Sequence, residues 1–147
     1  MMRANFACFY FVHLLAISFA CALGCGGDSF PLVPGTGKVT YRGNPVADAH
    51  VTFYPQSGPS AFGMTNAEGE FSLSTNGKSG AVAGDSVKVA VVAVEEVRKL
   101  EPSDQHPEGL IETKSKIPEK YGMISSTPLT VTVASSGENH FLLELTD

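Results

Sequence analysis

The stretch from Gly37 to Leu73 most constrains what this chain can fold into. It carries four short runs in which apolar and polar residues alternate. Val39 and Tyr41 alternate with Lys38, Thr40 and Arg42, and Val51 and Phe53 alternate with Thr52 and Tyr54. Phe62 and Met64 alternate with Gly63 and Thr65, and Phe71 and Leu73 with Ser72 and Ser74. Successive side chains of a strand point to opposite faces, so a period of two means one wet face and one dry face. Turn-forming residues break the runs every eight to twelve positions, which is the pattern of a small antiparallel β-sandwich.

The remainder of the chain extends that pattern. Strand A covers 35–42, strand B 50–54, strand C 60–65 and strand D 70–75. Pro45 lies in the turn Gly43-Asn44-Pro45-Val46, because proline fixes φ and lacks a donor. Asn66-Ala67-Glu68-Gly69 is a tight connection in which Gly69 can take positive φ. Val87 to Val94 is the most apolar run of the domain, interrupted only by Lys88, and its five valines favour a strand with both faces covered. Leu129–Ala134 and Asn139–Thr146 alternate again. The expected fold is an all-β, seven-stranded antiparallel Greek-key β-sandwich.

Residues 95–128 interrupt this order. Twelve of the 24 formal charges that follow Cys25 fall there, five basic and seven acidic. Pro102, Pro107, Pro118 and Pro128 exclude a long helix. The expectation is a long loop, with Ile117 and Tyr121 as apolar anchors. Connections of this length in a compact domain are usually functional or solvated excursions.

The first quarter lies outside the domain. Arg3 precedes an apolar run, Phe6–Leu23, and small residues Gly24-Cys25-Gly26-Gly27 follow. A charged start, an apolar middle and a small-residue end make a cleaved secretory signal. The alternative is an uncleaved anchor, since about 18 apolar residues can just span a bilayer. The expected organisation is a signal segment over 1–24, a flexible tether over 25–34 and the sandwich over 35–147. Ala22-Leu23-Gly24-Cys25 resembles the lipobox of bacterial lipoproteins, which makes Cys25 the lipidation residue, with Cys21 a second candidate. The three cysteines are Cys8, Cys21 and Cys25, so no disulfide pair is placed inside the fold.

From Cys25 onward nine basic residues face fifteen acidic ones, a net charge of −6 with histidine neutral. Such a balance, without basic clusters, argues against nucleic acid as a partner. It also argues against an electrostatic hold on anionic lipid.

Several segments together carry a family resemblance. They are Gly37-Lys38-Val39-Thr40, Gly43-Asn44-Pro45-Val46, Ala49-His50-Val51-Thr52-Phe53, Thr65-Asn66-Ala67-Glu68-Gly69-Glu70-Phe71 and Ala83-Gly84-Asp85-Ser86-Val87-Lys88-Val89. They resemble the carboxypeptidase regulatory-like (transthyretin-like, prealbumin-type) domain over Gly35 to about Val94. Ala83 stands where that family has proline. Ile117-Pro118-Glu119-Lys120-Tyr121 before a final strand pair is similar to small secreted lipoproteins of the planctomycete type. The resemblance implies a folding, spacing or binding module and passes on no catalytic residue.

The chemical candidates are few. Asn66-Ala67-Glu68-Gly69-Glu70 resembles part of a calcium loop but lacks the required number of oxygen ligands. It reads as a hairpin turn. Gly77-Lys78-Ser79 resembles the end of a phosphate loop, but the earlier glycine falls at Ser72 and no helix follows. His50, His106 and His140 have no ligand spacing. Tyr54, Tyr121 and Phe62 are candidate exposed aromatics for a sugar. The functional expectation is a non-catalytic, extracytoplasmic lipoprotein of the cell envelope that needs no cofactor. It is held to a membrane by an N-terminal lipid and acts as a structural or protein-interaction module. A small-ligand or carbohydrate-binding module is the alternative, and a hydrolase accessory domain comes last.

Overall fold

In the computed structural model, residues 30–100, 102, 104 and 109–147 are described. The signal segment and Cys25 lie outside these residues. The order is β1 (Leu32–Val33), β2 (Gly35–Tyr41), β3 (Asn44–Pro45), β4 (His50–Tyr54), β5 (Ala61–Met64), β6 (Glu70–Ser72) and β7 (Ser74–Thr75). Then come β8 (Lys78–Ser79), β9 (Ala81–Val82), β10 (Gly84–Val92), β11 (Val94–Leu100) and β12 (Leu110–Ser115). A 3-10 turn over Glu119–Gly122, β13 (Thr130–Val133) and β14 (Asn139–Leu145) complete it.

The all-β architecture expected from the alternation is present, and among the described residues its ladders are antiparallel with one exception. One sheet runs β13-β10-β4-β5-β7-β8. The facing sheet runs β14-β2-β3, with β6 also on β2. The exception is β14, which pairs with β2 in parallel from Asn139 opposite Gly35 to Leu145 opposite Tyr41. Seven strands were expected at these positions, and each is there. Strand D is divided, because Glu70–Ser72 pairs with β2 in one sheet and Ser74–Thr75 pairs onto the other. The chain therefore turns the corner of the sandwich between β6 and β7.

The core lies between the sheets. Val51, Phe53, Val87, Val89 and Val91 face it from one side, and Val39, Phe71, Phe141, Leu143 and Leu145 from the other. The Phe53 ring of β4 lies 4.9 Å from that of Phe141 and 6.2 Å from that of Phe71, both tilted. These tilted contacts across the sheets are the arrangement that aromatic quadrupoles favour. Buried polar groups are paired. Thr65 Oγ1 donates to the Val46 carbonyl at 2.7 Å and accepts the Ala49 N–H at 2.8 Å. Thr127 Oγ1 donates to the Val89 carbonyl at 2.6 Å. Among the described residues no buried side-chain polar atom lacks a partner, as a stable interior requires.

Three expectations need correction. The tether expected over 25–34 is partly folded. Leu32 and Val33 pair with Val82 and Ala81, Val33 is buried, and the Pro34 carbonyl accepts the Asn139 N–H. Apolar side chains in the Phe30-Pro31-Leu32-Val33 run find cover on the sandwich, which offsets their ordering entropy. Pro45 lies not in the turn but in β3, opposite Thr40. The ladder there continues through the Val46 N–H to the Val39 carbonyl, so the donor proline lacks is supplied one residue later. The long loop expected over 95–128 is mostly structured, with β11 and β12 forming a hairpin ribbon and Ile117–Thr127 packing back onto the sandwich.

Candidate functional site

The ribbon begins where β10 leaves the core. Ala93 is the last buried residue, and its carbonyl accepts the Lys116 N–H at 2.8 Å, closing the base. Lys116 Nζ donates to the Ala47 carbonyl at 3.1 Å, tying the base to the loop before β4. The returning chain is fixed by Ile117 and Tyr121, both buried. The Tyr121 hydroxyl donates to the Thr146 carbonyl at 2.9 Å and accepts the Thr146 N–H at 3.0 Å.

Beyond that base the ribbon packs against no other element among the described residues. Residues 94–99 of β11 are all exposed, on both faces of the strand. A strand packed on a core buries alternate residues, so exposure on both faces means that nothing among the described residues covers this one. Val94, Val97 and Ile111 are 46%, 54% and 50% exposed. Cross-strand neighbours hold the ribbon. Glu95 lies opposite Lys114, and Arg98 opposite Glu112, with Arg98 Nε 3.4 Å from the Glu112 carboxylate. An exposed pair of this kind contributes about 0–1 kcal/mol. Two-stranded ribbons are marginal alone, so this one depends on its anchored base. A β-bulge lies between Glu96 and Arg98, where β11 carries one extra residue, Val97, against β12.

A second region is a groove of about 590 Å³ lined by Thr36, Asn66, Glu70, Ser72 and His140, with the exposed Met64 as its apolar side. Thr36 Oγ1 and His140 Nδ1 are 3.2 Å apart across the parallel ladder. The calcium-like segment borders this groove. Its Asn66 Oδ1 accepts the N–H groups of Glu68 and Glu70 at 3.0 and 2.8 Å. That side-chain oxygen is consumed in forming the turn, the role favoured in the sequence. Gly69 has φ +77°, and a Cβ there would lie 2.6 Å from the Val39 carbonyl oxygen. Only glycine suits both demands.

A third feature closes the far end of β2. The Tyr41 hydroxyl donates to Asp147 Oδ1 at 2.6 Å, and Arg42 Nε donates to Oδ2 at 3.0 Å. These two hydrogen bonds, the tyrosine's first, hold the Asp147 carboxyl below its usual range. Arg42 and Asp147 are exposed and Tyr41 is half-buried against the core, so the pairing is a clasp at the surface.

The candidate residues are not drawn together. His50 lies on β4 and His140 on β14, in different sheets, and His106 lies outside the described residues. Among the described residues no three His, Cys, Asp or Glu side chains are grouped as metal ligands. Of the proposed exposed aromatics only Phe62 is exposed. Tyr54 is half-buried and Tyr121 is an anchor inside the core, a correction that follows from its two bonds to Thr146. The ribbon's cross-strand pairs escaped a reading based on apolar alternation. Their signal was the sign of the charges, Glu-Glu-x-Arg-Lys on one arm and Ile-Glu-Thr-Lys on the other.

No family model matches the chain, and no curated protein matches it. Among solved structures it has a distant likeness to a 9R-lipoxygenase from Cyanothece PCC8801, at 11% identity and a TM-score of 0.37. The match covers 92% of this chain and 20% of that one, so the chain spans about one fifth of the length of the lipoxygenase. At that level the likeness carries neither fold nor activity across.

Proposed function

We propose that the chain is a non-catalytic, extracytoplasmic module of the carboxypeptidase regulatory-like type, held at the cell envelope by a lipid on Cys25, and that it works by contacting other proteins. The observation that carries this reading is the ribbon of β11 and β12. It is anchored at Ala93 and Lys116, bare on both faces of β11, and mixes exposed branched side chains with charges of both signs. Strands with an unpaired edge are templates for another chain.

Crosslinking in envelope membranes tests the contact. A variant in which Val94–Ser115 is replaced by a two-residue turn keeps the Lys116–Ala93 closure at the base. It is expected to melt within about 3 °C of the parent, because few core contacts are removed. It is also expected to lose the crosslinked products. Products that survive the deletion overturn the ribbon as the contact element. The anchor is tested separately by intact mass of the membrane fraction. The expected species begins at Cys25 and carries acyl mass. A species starting at Ser29 or later without acyl mass excludes the lipid.

The groove beside His140 favours a second reading, a small polar ligand such as a glycan. Thr36, Ser72, Asn66 and Glu70 supply hydrogen-bonding groups, and the exposed Met64 supplies an apolar side. Sites for small ligands combine such features. Saturable glycan binding lost in Glu70→Ala but kept in the ribbon deletion would select this reading over the first.

A further inference from the structure

Resting on the reading of the ribbon as a contact element, we infer that its partner is a second copy of this chain, joined edge to edge through β12 about a two-fold axis at Thr113. Among the described residues β12 pairs on one side with β11 and with no strand on the other. Its sequence runs Leu-Ile-Glu-Thr-Lys-Ser over Leu110–Ser115. When two such strands run antiparallel with Thr113 opposite Thr113, Glu112 of each copy faces Lys114 of the other. Glu112 and Lys114 are two residues apart, so both stand on the same face of the strand and can meet.

The inner neighbours extend the match. Lys114 already lies opposite Glu95, and Glu112 opposite Arg98. The joined sheet would thus carry two rows of four side chains. One reads Glu95, Lys114, then Glu112 and Arg98 of the second copy. The other is its two-fold mate. Each row alternates in charge between strands about 4.8 Å apart. On the opposite face the two Thr113 side chains meet at the axis, a favourable cross-strand pair. Ile111, half exposed in the single chain, gains a neighbour in Ser115 of the second copy. A patch that complements itself about a two-fold axis is what an isologous dimer requires.

The other arm of the ribbon is less suited. The Glu95-Glu96-Val97-Arg98-Lys99 run of β11 also inverts its charges about Val97, but the bulge at that point sets Glu96 and Arg98 on opposite faces of the ribbon. Bulges disrupt edge pairing, whereas β12 has no extra residue. A lysine on an edge strand normally discourages pairing. Here the two-fold arrangement places each Lys114 against a carboxylate.

Sedimentation equilibrium on the full chain, solubilised and delipidated in mild detergent up to roughly 0.5 mM, reads the result, because one strand pair is a small interface of weak affinity. The parent is expected to show a monomer–dimer equilibrium that weakens with added salt. Glu112→Lys and Lys114→Glu each set like charges against each other twice per dimer. Each variant alone is expected to weaken association about tenfold or more. An equimolar mixture of the two is expected to recover it, because Lys at 112 in one then faces Glu at 114 in the other, and the remaining pair is Lys114 against Glu112. Both variants disturb their own hairpin equally whether alone or mixed, so recovery reports the intermolecular pair. A parent that stays monomeric, single variants that associate as the parent does, or a mixture that fails to recover each overturns the two-fold pairing. The ribbon-dependent crosslinks described above would then still decide whether the ribbon serves a different protein.

Discussion

Phe53→Ala is expected to destabilise the domain by about 3–5 kcal/mol, the range for truncating a buried phenylalanine. Phe53 is fully buried and stands between Phe71 and Phe141, so its ring is the contact through which the two sheets meet. Alanine removes that ring and leaves a void that neighbours anchored in two separate sheets cannot collapse to fill. In a domain of this size the melting temperature should fall by roughly 10–20 °C. Urea unfolding followed by circular dichroism checks the value, and an unchanged midpoint would refute the assignment of Phe53 as the inter-sheet contact. If the alanine variant does not accumulate, Phe53→Leu keeps more volume and should lose about 1–2 kcal/mol.

Gly37→Ala is expected to cost about 3 kcal/mol or more, against the usual trend. In an ordinary strand, alanine is favoured over glycine by roughly 0.5–1 kcal/mol. At Gly37 a Cβ would press on the Phe141 carbonyl oxygen and lie 2.6 Å from Phe71 Cζ. The first contact is backbone of the parallel partner strand, so the strain cannot be relieved by a rotamer change. The variant Gly37→Ala with Phe71→Leu isolates the cause. It removes the ring contact but not the carbonyl contact, and it should remain at least as unstable as Gly37→Ala alone. Full recovery in that double variant would show that crowding by the ring, and not the β2–β14 approach, sets the requirement for glycine.

Legibility from the sequence followed the hydrophobic pattern. The alternation of Val39 with Tyr41, Val51 with Phe53, and Phe141 with Leu143 and Leu145 marked strands, because one face of each is buried against the other sheet. The ribbon has the sequence pattern of a loop for the converse reason. With both faces of β11 in water, no apolar period survives, and only the paired signs of Glu95 and Lys114, or Arg98 and Glu112, carry its register. The segment Phe30–Pro34 has the pattern of a tether because its few apolar residues have no period, yet Val33 is buried beside Ala81.

The sequence by itself determined the class of fold, the places where the core strands run, and the turn at Asn66–Gly69, where a side-chain oxygen and a positive-φ glycine act within a few residues of each other. Local propensity and a period of two are sufficient for these, since both act between near neighbours. Only the tertiary structure decided that β14 lies parallel to β2, that β6 and β7 split between sheets, and that β11 and β12 leave the core as a ribbon. An alternating strand reads the same in either direction and against any partner. Direction, partner and exposure are therefore fixed by long-range packing around Phe53, Phe71 and Phe141, not by the residues of the strand alone.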